Sequence, residues 1–230
     1  MIRKLFRLST AFLLLTVLPP CAFSFTFNPS LTVLRLPTDI GGATLVLKNP
    51  RDVDLPVVFE MVERQITEDG AELTEPADND FVIFPPQAVV PAGKSQAVRI
   101  QWVGGMLSQS RSFTLFATEV PVNLNPGSKT GPAIKTVLRI GSSVHVTSRG
   151  FAPKPELVGY RPRQDGVVVS IGNSGNEFIY IDKLAMKFGG EKIGGIDLAN
   201  AARRTLIPPG AIRTFKVNSV QGAPELIFNN

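Results

Sequence analysis

A chain of 230 residues with one His and one Cys cannot build a Cys/His zinc cluster or an internal disulfide framework. Apolar residues make up 43% and charged residues 19%, which supports a packed core and excludes a disordered chain. The formal charge of +5 points to a nucleic acid or a membrane only if the charges lie on the folded part.

Residues 1–24 read MIRKLFRLSTAFLLLTVLPPCAFS. A basic start (Arg3, Lys4, Arg7) precedes the apolar run 11–18, then Pro19-Pro20, then the small residues Ala22 and Ser24. This is the three-part pattern of a secretory signal peptide, with cleavage expected after Ser24. A membrane span needs about 20 continuous apolar residues, more than this run offers. Without the leader, 21 basic residues face 19 acidic ones, a net +2. Cys21 leaves with it. The expectation is an exported, soluble, periplasmic or extracellular protein, with no membrane insertion and no case for nucleic acid.

Short β-rich runs broken by Gly, Pro and Asn follow. Residues 44–48 read as a strand ending at Asn49-Pro50, and 55–64 as the next, closed by a turn at Asp69-Gly70. Strands are expected at 81–84, 88–90, 96–103 and 112–122. The Asn, Pro, Gly and Ser-rich stretch 123–132 reads as a loop, and a long alternating run covers 134–146. The segment GFAPKP, at 150–155, reads as a linker. Strands are then expected at 167–171, 177–188 and 212–217, with a helical turn at 198–203.

The two halves repeat one plan. Each has a strand, an Asn turn (Asn49, Asn173), a strand, then an apolar residue with Pro and Gly (91–93, 208–210) and another strand. The pattern predicts an all-β chain of two tandem immunoglobulin-like β-sandwiches in an L or boomerang arrangement. The expected domains are 25–149 and a smaller 157–230, joined by a linker at 150–156.

No catalytic residue can be nominated. His145, the sole imidazole, has no acidic neighbour to orient it as a triad would require. No calcium loop or phosphate loop is present, and Gly189-Gly190 and Gly194-Gly195 read as turns. No enzyme, metal or cofactor is expected.

The run IKTVLRIGSSVHV, at 134–146, is the most informative stretch. Ile134, Thr136, Leu138, Ile140, Ser142, Val144 and Val146 share one face of a strand. Such a run is longer than the usual strand of about 5–6 residues. A long apolar row beside a loop suits strand addition to another protein.

Residues 84–100, FPPQAVVPAGKSQAVRI, and 113–121, FTLFATEVP, precede this run in order. Together they resemble the periplasmic pilus-assembly chaperones of the chaperone–usher pathway. That family has paired prolines, a Pro-x-Gly and a strand with Arg, then a Phe-rich strand ending in Glu-apolar-Pro, then a long donor strand. The resemblance spans nearly all of residues 25–230 and is weaker in the second domain.

The resemblance implies a chaperone that folds and caps pilus subunits by donor-strand complementation and hands them to an outer-membrane usher. The cargo-free protein would stay monomeric or self-dimerise. The donors would be Ile134, Leu138 and Ile140, with Thr136 as a polar member. Val144 and Val146 would belong to the chaperone's own core. The family anchors the subunit's C-terminal carboxylate with two basic residues in the interdomain cleft. Here His145 stands where the long-strand Lys is expected, and Arg99 or Arg35 would supply the charge. These departures point to a divergent, archaic or alternative branch. Glu119 and Arg149 match an acidic and a basic residue that the family pairs near the domain junction. The alternative class is structural: a pilus subunit or immunoglobulin-like adhesin.

Overall fold

The computed structural model describes residues 24–121 and 137–228. The first part holds β1 (Thr26–Asn28), β2 (Leu31–Leu36), β3 (Ala43–Lys48), β4 (Leu55–Ile66), β5 (Glu72–Pro76), β6 (Phe81–Phe84), β7 (Gln87–Val90), β8 (Ser95–Trp102), β9 (Arg111–Glu119) and β10 (Arg139–Ser148). They form two sheets, β1-β3-β8-β6 and β2-β10-β9-β4-β5, with β7 also on β4. Strands β2 and β10 run parallel, and the other pairs of this part are antiparallel.

Alternation builds this sandwich. Leu55, Val57, Phe59 and Met61 of β4 are buried, whereas Pro56, Val58, Glu60 and Val62 between them are not. Leu45 and Leu47 of β3, and Val98 and Ile100 of β8, join the same core from the facing sheet. Phe81, Trp102 and Phe113 meet edge-on or tilted, with ring centroids 5.2, 4.9 and 5.8 Å apart. Each such side chain contributes about 1.5–3 kcal/mol by leaving water.

The second part holds β11 (Pro155–Arg163), β12 (Gly166–Asn173), β13 (Ile179–Tyr180), β14 (Ala185–Phe188), β15 (Glu191–Gly194), α1 (Gly195–Ala202), β16 (Leu206–Ile207), β17 (Ile212–Asn218) and β18 (Pro224–Ile227). Its sheets are β11-β12-β17, β13-β16 and β15-β14-β18. A separate core of Val167, Val169, Ile171, Met186, Phe188 and Val217 lies between them, closed by Leu198 and Ala202 of α1. The fold is thus two β-sandwiches with one short helix, as the strand pattern predicts.

One expected strand is broken. Residues 177–188 divide into β13, a 3-10 turn at Ile181–Lys183 and β14. The buried residues explain the break. Ile179 and Ile181 share one parity, while Leu184, Met186 and Phe188 share the other. A strand cannot bury both sets on one face. The turn, closed by the Leu184 amide on the Ile181 carbonyl at 2.9 Å, supplies the odd step. Strand β11 begins at Pro155, inside the stretch read as linker. It is an edge strand, where a proline at the first position leaves no ladder bond unmade.

The two Asn turns share one hydrogen-bond plan. Asn49 Nδ2 donates to the carbonyls of Val53 and Val90, and Asn173 Nδ2 to those of Glu177 and Ile207. In each turn Oδ1 accepts the amide two residues on, from Arg51 or Gly175. Both side chains are buried. Each amide therefore staples its turn to the residue preceding a proline (Pro91, Pro208), which is why the motif recurs without wider sequence identity.

Candidate functional site

Strand β10 lies against two neighbours of unequal length. Strand β9 follows it from Arg139 to Val146, whereas β2 begins only at Ser143. Residues 139–142 therefore have one strand partner and one open edge. Peptide groups alternate in direction along a strand. The Leu138 carbonyl accepts from Glu119 of β9, and the Ser143 amide donates to Ser30 on the opposite side. By that alternation, the peptide groups of Arg139 and Gly141 point out of the open edge.

Side chains add an apolar row to this edge. Leu138 and Ile140 are half-buried and pack on the first core, in line with the buried Val144 and Val146. On the other face, Val137 is exposed, and the Arg139 guanidinium lies 3.7 Å above the Phe116 ring and 3.3 Å from Glu60. Ile134 and Thr136 lie outside the described residues.

Further along β10, His145 enters the seam between the sandwiches. It is fully buried, with Nδ1 2.8 Å from Ser112 Oγ and Nε2 2.7 Å from Tyr180 Oη. Its ring stacks on Phe178 at 3.9 Å. Burial, and then the charge of Arg64, pull its pKa down to about 3. Burial raises that of Tyr180. At neutral pH His145 is an uncharged bridge between the sandwiches, with one ring nitrogen donating and the other accepting. Both ring nitrogens are bonded within the seam, so in this structure neither is free for the subunit carboxylate that the resemblance assigns to this position.

The other cations are spread out. Arg64 of β4 donates to both Glu72 oxygens, at 2.7 and 3.2 Å, and to Ser143 Oγ at 3.2 Å. Arg204 also reaches Glu72, at 3.1 Å. Arg99 is far from this seam, since it sits on β8 of the opposite sheet and donates to the Gly41 carbonyl. Arg35 is exposed on β2 and pairs in register with Thr147, which places it on the same sheet face as His145.

The expected Glu119–Arg149 pair does not form. The Arg51 guanidinium instead grips Glu119 with two bonds of 2.7 and 2.9 Å. Antiparallel pairing explains why. Glu119 lies at the Leu138 end of the hairpin, whereas Arg149 follows the Val146 end, opposite Arg111. About ten residues of strand separate them, on the order of 30 Å.

Other residues hold the seam. Ser110 donates its amide to the Asn176 carbonyl at 2.9 Å and accepts from the Phe178 amide on Oγ at 2.8 Å. Arg213 of β17 reaches the β4–β5 turn of the first sandwich. Composition did not reveal these residues, but one signal was present. Arg213 shares the strand face of Phe215 and Val217, and a charge within an apolar row marks a special contact.

Among the described residues, no group of three His, Cys, Asp or Glu could hold a metal, and no helix is long and apolar enough to cross a membrane. No protein-family model and no curated protein matches the sequence. Solved structures do match it. The class 5 fimbriae chaperone CfaA is 10% identical, with a TM-score of 0.60 over 90% of this chain and 93% of its own. CsuC, solved with the tip adhesion subunit CsuE of the archaic chaperone–usher Csu pili of Acinetobacter baumannii, is 16% identical, with a TM-score of 0.59 over 89% and 97%. The E. coli chaperone DraB is 17% identical, with a TM-score of 0.58 over 90% and 96%. At such identities the likeness is one of architecture, and the chain has the two-sandwich fold of these chaperones.

Proposed function

We propose that the protein is a periplasmic chaperone of pilus subunits that works by donor-strand complementation and delivers its cargo to an outer-membrane usher. The observation that carries this reading is the open edge of β10 at residues 139–142, flanked by Leu138 and Ile140. A subunit with a missing strand can pair with the outward peptide groups of Arg139 and Gly141. The row that includes Ile134, Thr136, Leu138 and Ile140 then covers its apolar groove. An unprotected sheet edge otherwise aggregates. Two proteins of this fold support the reading, since CsuC is seen with a tip adhesion subunit and SafB of Salmonella enterica with the SafA pilin.

Arg35 is the proposed anchor for the subunit's terminal carboxylate, because it is exposed and lies on the seam face of β2. Arg99 lies on the opposite sheet, and His145 is neutral. A pilus subunit, the alternative class, needs a sandwich lacking a strand, whereas this chain carries two buried cores.

Periplasmic co-expression with a pilus subunit encoded beside it tests the reading. The expected result is a soluble one-to-one complex by size-exclusion chromatography with light scattering. Recovery of only free protein beside an aggregated subunit would oppose it.

A further inference from the structure

Arg213 is a fully buried cation, and no carboxylate lies within ion-pair distance of it among the described residues. Its partners are backbone carbonyls. Nη1 donates to Thr67 and Glu68 of the β4–β5 turn at 3.0 and 2.9 Å. Nη2 donates to Ala202 and Arg204 of the second sandwich at 3.4 and 3.0 Å. One planar guanidinium thus holds two backbone segments from separate folding units, a task suited to its fixed fork of donors.

The turn is shaped for this contact. Gly70 lies so close that an added Cβ would come 2.4 Å from the guanidinium, and its φ of +92° suits glycine. The side chain of Thr67 bonds that of Asp69, and the Asp69 carboxylate also accepts the Ala71 amide at 3.3 Å, closing the turn from within. Next to Arg213, the Thr214 amide donates to the Glu68 carbonyl at 2.8 Å, and Thr214 Oγ1 donates to Glu68 Oε1 at 2.7 Å. The tip of the first sandwich is therefore docked on β17 from both its backbone and its side chains.

A cation buried only to fill space would be costly, and an apolar residue of similar volume would serve better. What Arg213 adds is direction, because its bonds form in one relative placement of the two units. We infer that Arg213 is a positioning residue that fixes how the second sandwich sits on the first, the role that the family resemblance assigns to a Glu119–Arg149 pair. This inference concerns the cargo-free protein and stands independently of the chaperone reading.

Residual dipolar couplings of the full chain test it, because they report the relative orientation of two folded units. In the native protein both sandwiches fit one alignment tensor. In Arg213→Met each sandwich keeps its own fold, read from amide shifts away from the seam, but the shared tensor is lost. Arg213→Lys, with three donors on a flexible stem, regains part of it. Gly70→Ala, which displaces the guanidinium from the first sandwich, reproduces the Met result and serves if Arg213→Met does not fold. A shared tensor retained in Arg213→Met, or in Gly70→Ala where the Met variant does not fold, would overturn the inference.

Discussion

Glutamate at positions 138 and 140 abolishes capture of a pilus subunit while the free protein stays folded. Both side chains lie on the strand face that continues Val144 and Val146, but unlike those two they are only half-buried. Part of each is therefore spent on the protein's own core. The free double variant loses about 1–3 kcal/mol of stability, a partial share of the 1.5–3 kcal/mol for burying each such side chain. The complex loses more, because each residue would be buried fully against the cargo and a carboxylate there is left unpaired. Each substitution weakens capture by roughly tenfold to a hundredfold, and the pair by about a thousandfold or more. Titration calorimetry or a pull-down reads the affinity, and thermal unfolding reads the fold. A control change at Val137, which is exposed on the opposite strand face, leaves capture within a few-fold. Capture that survives both glutamates would remove the apolar row from the mechanism.

Acid weakens the seam through His145. The pKa of about 3 in the folded protein lies below the 6.5 of a free imidazole. Between these values the unfolded chain binds a proton that the folded protein refuses, so stability rises with pH across the window. The contribution is complete above about pH 6.5 and is lost as pH falls toward about 3. At roughly 1.4 kcal/mol per pH unit, the full window is worth on the order of 4–5 kcal/mol. Carboxylates protonate over part of the same range, so the wild-type curve alone does not isolate the histidine. His145→Gln does, because it keeps a donor and an acceptor and does not titrate. Urea unfolding from pH 7 to 4 should show a slope shallower by about one proton in the variant. Equal slopes would mean that His145 is charged or exposed in the folded protein.

The parts of the fold that were legible in the sequence are those where one face of a strand is buried. In β4, β8 and β17 the apolar period of two is visible, and their bounds agree with expectation to within two residues. Strand β5 was missed because its residues are mostly exposed and show no apolar row. Strand β15 was missed for the same reason, since its glycine neighbours read only as turns. The 177–188 run looked continuous because a list of β-formers hides a change of parity, which a three-residue turn absorbs.

Site residues were less legible, for a different reason. The character of His145 is set by Phe178 and Tyr180, which belong to the other sandwich, and its neighbours in sequence say nothing of them. The partner of Glu119 is Arg51, from a turn that strand pairing brings to the far end of the hairpin. Strand polarity decided that pairing, and it cannot be read until the order of strands in the sheet is known. The open edge of β10 was half-legible. Its length and apolar row were visible, but its freedom depends on where β2 starts.

Amide hydrogen exchange at Arg139 and Gly141 tests the central claim most directly, because these groups point out of the unpaired edge. In the free protein both amides should exchange within the fastest class of strand amides, while the amides of Ile140 and Ser142, which face β9, are protected. With a bound subunit, Arg139 and Gly141 should slow to rates like those of their neighbours. Rates that stay fast in a fully formed complex would contradict strand addition at β10.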